Sequence, residues 1–155
     1  MDLIPIDSET LDFKLIFVSE YEIKKPVVHI LINENEVYNG ELEQGTQKIE
    51  FTKKLQTNKT HCLKIIRSGK VVGEQQITRI ADLIIDGISI RDIMWDDCKY
   101  YPIYPEPWAT EQKNAGNQLE YPVVGETWFG HNGEWQFQFD SLFYTWLIHK
   151  VRGRR

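Results

Sequence analysis

The segment YYPIYPEPWATEQ, Tyr100 to Gln112, carries the residues best suited to gripping a ligand: Tyr100, Tyr101, Tyr104 and Trp108. Aromatic rings offer flat apolar faces, which suit the apolar faces of sugars or the side chains of a protein partner. Pro102, Pro105 and Pro107 are interleaved with them. Proline fixes φ and has no backbone donor, so the spacing predicts extended, polyproline-like surface chain and excludes a central strand. A loop stiffened in this way loses little freedom on binding. Some of the rings are expected to fold back over one end of the domain, but not all four.

Bond-making chemistry has little support. The chain has no G-x-S-x-G, no H-E-x-x-H and no glycine-rich phosphate loop. SGKVVGEQ has valines where a phosphate loop needs Ser or Thr leading into a helix. His29, His61 and His149 sit in apolar runs and read as hydrogen-bonded structural residues, while His131 is expected in a tight turn facing solvent. Glu106, Glu111, Glu120 and Glu126 lie near the aromatic segment. Glycoside hydrolysis would need two such carboxylates about 5–10 Å apart across a cleft, and short turns leave little material to build one. No enzyme is expected. Cys62 and Cys98 fit no metal-binding spacing and are expected as free thiols, Cys62 half-buried in a strand.

The chain has 155 residues, 41% of them hydrophobic and 26% charged. This composition and length predict one globular domain, residues 1–155, with a substantial core. A net charge of −5 argues against nucleic acid or an anionic membrane as the main partner. The basic end HKVRGRR is the exception and is expected to be a solvated terminus. No apolar run reaches the length of a membrane span. The start MDLIPIDSETLDF has the features of no signal peptide. Asn58-Lys59-Thr60 then reads as an unmodified surface turn.

The first ninety residues read as successive strands. LDFKLIFV puts Phe13, Leu15 and Phe17 on one face, and QKIEFTKKL sets Ile49, Phe51 and Leu55 against Lys48, Glu50 and Lys54. PVVHILINENEVYNGEL is two runs around a polar turn, and HCLKIIRSGKVVGEQQITRI supplies two more. Short strands with frequent turn signals and no long helical period predict an all-β fold, an antiparallel β-sandwich or barrel.

Two hairpins can be registered residue by residue. In ADLIIDGISIRDI an Asp86-Gly87 turn places Ile85 opposite Ile88, Leu83 opposite Ile90, and Asp82 opposite Arg91. In ETWFGHNGEWQFQFD an Asn132-Gly133 turn would put Trp128, Trp135, Phe137 and Phe139 on one buried side, with Phe129 and His131 on the other. After Asp140 the period changes. Leu142, Phe143, Trp146, Leu147 and Val151 form a helical stripe, with Asp140 or Ser141 as its cap and Gly153 at its end. One short C-terminal helix is expected.

IDGISIRDIMW, YYPIYPEPWATEQ and TWFGHNGEWQFQFDSLFYTWLIHKV together resemble a group of small proteins encoded beside structural genes in marine tailed bacteriophages, notably cyanophages. Those proteins are similar to β-sandwich carbohydrate-binding modules of the calcium-dependent, xylan-binding kind, which implies an antiparallel β-sandwich of jelly-roll or carbohydrate-binding-module type here. The most specific wording is YPEPW and WFGHNGEWQFQF. The resemblance implies a virion-associated accessory protein, on the capsid, neck or tail, made in the host cytoplasm without a signal peptide. Its partners would be other virion proteins in repeated copies, docked through the aromatic, proline-rich loop. The alternative is an exposed glycan-binding module that aids adsorption to the host surface. In either case Tyr100, Tyr101, Tyr104 and Trp108 make the contact. No cofactor is required, although the resemblance admits calcium. No ligand set can be matched to it, because Asp96 and Asp97 are adjacent and would point apart on a strand.

Overall fold

The computed structural model describes residues 7–71, 73–91 and 95–153. The chain forms β1 (Ser8–Tyr21), β2 (Val27–Ile32), β3 (Asn35–Glu41), β4 (Gly45–Gln56), β5 (Thr60–Ser68), β6 (Gln76–Ile85) and the short β7 (Ile88–Ser89). After a 3-10 turn at Trp95–Asp97 come β8 (Lys99–Pro102), helix α1 (Trp108–Asn114), β9 (Val123–Val124), β10 (Trp128–Phe129), β11 (Gly133–Asp140) and helix α2 (Phe143–Gly153). Two antiparallel sheets result. One runs β10-β6-β1-β4, with β7 also on β6, and the other runs β3-β2-β5-β11-β8-β9. The architecture is the expected all-β sandwich with a C-terminal helix.

Alternation builds the core. Phe13, Leu15 and Phe17 point inward from β1, and across the interior Leu63, Ile65, Trp135, Phe137 and Phe139 do the same from β5 and β11. Phe13 stacks on Phe51 at 5.0 Å, matching the β1–β4 register Phe13↔Phe51. On β6 the inward positions step from Ile80 to Leu83, because a bulge lets Ile16 pair with Asp82 and Phe17 with Ile80. Strand β4 is the outer edge of its sheet, with Lys48, Lys53 and Lys54 along it.

The Asp86-Gly87 hairpin has the expected register. Ile85 pairs with Ile88, the Ile90 N–H donates to the Leu83 carbonyl, and both turn residues take positive φ, 48° and 77°. Asp82 accepts from the Ser89 hydroxyl at 2.7 Å, and Arg91 donates to the Ala81 carbonyl. The Asn33-Glu34 turn between β2 and β3 also takes positive φ at both residues. Cys62 is half-buried in β5 and Cys98 is buried, both as free thiols. Burial pushes the Cys98 thiol up to about 11.

The second hairpin does not form. Strand β10 pairs with β6 in one sheet, while β11 pairs with β5 and β8 in the other. Residues Gly130 to Asn132 therefore carry the chain from one sheet to the other. The faces change accordingly: Trp128 is 55% exposed with Arg79 over its ring at 5.3 Å, and Phe129 is buried. Trp135, Phe137 and Phe139 are buried as expected. Gly133 is not a turn glycine. A Cβ there would lie 2.5 Å from the Tyr101 carbonyl oxygen and 2.9 Å from the Pro102 Cα, so the residue is needed for close approach of β8.

The proline-rich segment also departs from the extended chain expected of it. Strand β8 lies between β11 and β9, although β9 reaches only Lys99 and Tyr100, so Pro102 falls beyond that pairing. The next turn leads into a helix. The carbonyls of Pro105 and Pro107 accept from the Ala109 and Glu111 N–H groups, and the Glu106 carboxylate accepts from Thr110 Oγ1 at 2.6 Å. Proline is tolerated at a helix start because the first N–H groups lack intrahelical partners anyway. At α2 the cap comes from a distant strand. Glu9 on β1 accepts from the Phe143 N–H at 3.0 Å and from the Ser141 hydroxyl at 2.5 Å. Arg154 and Arg155 of the basic end lie outside the described residues.

Because the two nearest atoms a methyl group would meet at Gly133 are backbone, the neighbouring strand must move to admit it. Gly133→Ala should lower stability by about 1–3 kcal/mol, read as a reduced melting temperature. An unchanged melting curve would rule out the tight β8–β11 contact.

Candidate functional site

The four rings of the proline-rich segment do not share one surface. Alternation along β8 sends Tyr100 inward and Tyr101 outward. Tyr100 is 2% exposed, stacks on Phe129 with centroids 4.8 Å apart, and donates its hydroxyl to the His131 carbonyl. Burial holds its phenol well above the usual range. Tyr100 is therefore a core residue, and the expectation that it touches a ligand is corrected. Tyr101 lies half-buried on the outer face of the six-stranded sheet, edge-on to Tyr121 at 5.6 Å. It shares a shallow cleft there with Gln136, Gln138 and Trp146.

Tyr104 and Trp108 remain together, and a third ring joins them. His131 lies 5.2 Å from Tyr104 and 5.4 Å from Trp108, which are themselves 6.0 Å apart. All three are half-buried. Each is fixed by a different device. Trp108 is the first residue of α1, His131 lies in the crossing between the sheets, and Tyr104 donates its hydroxyl to the Glu120 carbonyl at 2.5 Å.

Trp108 and His131 line a pocket of about 230 Å³ together with Ile103 and Pro105. Its polar wall comes from the β5–β6 loop and the sheet crossing: Lys70, Glu74 and Asn132. Asn132 ties the two segments together. Its Oδ1 accepts from the Lys70 N–H at 3.0 Å and from Arg67 Nη1 at 2.8 Å, and its Nδ2 donates to the Lys70 carbonyl at 3.1 Å. Lys70 Nζ donates to the Gly130 carbonyl. Glu74 accepts from the Lys24 N–H at 2.5 Å. The arrangement is suited to stacking and hydrogen bonding. Its described lining holds a single carboxylate, Glu74, so it offers no second acid for hydrolysis.

Calcium prefers six to eight oxygen ligands, usually with several carboxylates. Among the described residues no three His, Cys, Asp or Glu side chains converge on a point that could hold a metal ion. Asp96 and Asp97 lie in the 3-10 turn before β8 and not on a strand as the sequence suggested. The pocket residues do not fit such an ion.

Sequence reasoning missed Lys70, His131 and Asn132, since the false hairpin placed His131 in solvent. One signal was available. Strict alternation along THCLKIIRS puts Arg67 in phase with His61, Leu63 and Ile65, and a cation at an inward position marks that end of the sandwich as unusual.

No protein-family profile matches the chain, and no curated protein does. Solved structures do. The carbohydrate-binding module vCBM60 in complex with galactobiose superposes with a TM-score of 0.52 at 12% identity, covering 81% of this chain and 96% of that one. The selenomethionine form of vCBM60, described in connection with circular permutation between two families of calcium-dependent carbohydrate-binding modules, gives a TM-score of 0.53 at 12% identity, covering 82% and 89%. The fold is that of a carbohydrate-binding module. At this identity the likeness concerns the fold alone.

Burial, then the charges of Lys70 and Arg67, hold the His131 imidazole below its ordinary value. An unfolded chain, with a histidine near 6.5, takes up the proton first as pH falls. The stability this ring contributes is therefore present above about pH 6.5 and lost below it. An NMR titration of His131 should give a midpoint below that of a free imidazole, and Lys70→Gln should raise it. A midpoint at or above the free value would contradict the ring's placement.

Proposed function

We propose that this chain is a non-catalytic glycan-binding module whose contact surface is the pocket lined by Trp108 and His131, with Tyr104 packed against both rings. The observation that carries the reading is a cluster of three mutually braced, half-buried rings, two of which, Trp108 and His131, line a pocket with Lys70, Asn132 and Glu74. Sugars present an apolar face to rings and hydroxyls to amides and charges, and sites of this kind combine the two. The likeness in fold to vCBM60, which is seen in complex with galactobiose, supports the same reading. The lone carboxylate in the pocket supports binding over hydrolysis.

A docking role on a phage particle rests on the sequence resemblance alone and takes second place. In that case a neighbouring subunit would cover Trp108. A module of this kind carried on a particle would serve adsorption to a host-surface glycan.

Tryptophan fluorescence titrated with a panel of plant, algal and bacterial polysaccharides tests the proposal. Calcium and chelator arms are included because calcium-dependent modules share this fold. Saturable quenching by at least one glycan is expected. Trp108→Ala should weaken that binding by about tenfold or more, since truncating a tryptophan that anchors a binding surface commonly costs about 2 kcal/mol. Silence across the panel, with the protein recovered from purified particles, would favour docking instead.

A further inference from the structure

Among the described residues Arg67 has no counter-charge. It is 1% exposed, at an inward position of β5 in phase with Leu63 and Ile65. A buried guanidinium is ordinarily matched by a carboxylate, because an uncompensated charge away from water is costly. Here its partners are neutral: Asn132 Oδ1 at 2.8 Å from Nη1 and the Gln76 carbonyl at 3.5 Å from Nη2. Its Nε is buried with no partner.

Lys70 repeats the pattern three residues later. Its ammonium donates to the Gly130 carbonyl, again an uncharged group, and it lines the pocket. Among the described residues neither cation forms an ion pair. Glu74, the carboxylate on the same wall, is turned onto the Lys24 N–H. Asn132 couples the two cations, accepting from the Arg67 guanidinium and the Lys70 N–H through one oxygen. Among the described residues two positive charges without a carboxylate partner thus lie at the pocket, Lys70 in its lining with Trp108 and His131, and Arg67 bonded to the lining residue Asn132. This occurs in a chain of net charge −5.

A neutral sugar would leave that field unanswered. We infer that the pocket takes an acidic sugar, one bearing a carboxylate or a sulfate, with its ring on Trp108 and its anionic group toward Lys70. The inference rests on the glycan-binding reading and adds the substrate class. Arg67, set behind Asn132, strengthens attraction for the anion without touching it, since charges act over longer range where water is excluded.

Calorimetry with matched oligosaccharides tests it: oligogalacturonate, its carboxyl-reduced neutral form, a sulfated galactan oligomer and its desulfated form. The acidic member of at least one pair should bind about tenfold tighter than its neutral counterpart, with the advantage shrinking as salt rises. The two pairs separate carboxylate from sulfate. Lys70→Gln, checked by its melting curve, should bring the acidic-to-neutral ratio close to one, whereas Lys150→Gln on the outer face should leave it unchanged. Equal binding within both pairs, or a ratio insensitive to Lys70→Gln, overturns the acidic preference while glycan binding stands. Failure of every oligosaccharide to bind removes both.

Discussion

Strand β8 lies so close to β11 at Gly133 that no side chain fits between them, and the ring-bearing end is organised by that contact. It fixes which way each β8 residue faces, so Tyr100 enters the core against Phe129 and Tyr101 turns to the outer face. It also sets where β8 ends, at Pro102, and hence where the turn into α1 can deliver Trp108. The crossing residues just before Gly133 bring His131 and Asn132 to the same place. A residue larger than glycine would disturb all three consequences at once.

Much of the architecture was legible because alternation is a strong signal where one face is buried. The Phe13, Leu15, Phe17 stripe, the Asp86-Gly87 turn and the Trp135, Phe137, Phe139 face were each fixed by patterns within about ten residues. What failed was partner choice. Asn132-Gly133 has the composition of a tight turn, and nothing local reveals that Trp128 and Phe129 belong to the opposite sheet. The glycine answers to a steric demand made by residues about thirty positions away. The prolines misled for a related reason. Their missing donors exclude a strand interior, but they do not exclude the last position of a short strand or the start of a helix.

The candidate site was half visible. Tyr104 and Trp108 were singled out by residue type, and they do lie together. Their company was hidden, because His131, Lys70 and Asn132 are assembled by the sheet crossing and the β5–β6 loop, both long-range features. Arg67 shows how a local pattern can hold more than its first reading. Its phase in β5 was readable, but the meaning of an inward guanidinium depends on what it bonds to, and among the described residues its hydrogen bonds go to an amide and a carbonyl oxygen.

The long outer strand β4 has a consequence for self-association. Twelve residues of it form one rim of a sheet, leaving a row of backbone donors and acceptors open along the side away from β1. Such a rim can recruit another chain as an added strand, the first step toward fibrous stacking. Lys48, Lys53 and Lys54 against the single Glu50 leave the strand positively charged on balance, so a second copy would meet an excess of like charge as its backbone came to pair. The rim is thus guarded by mutual repulsion.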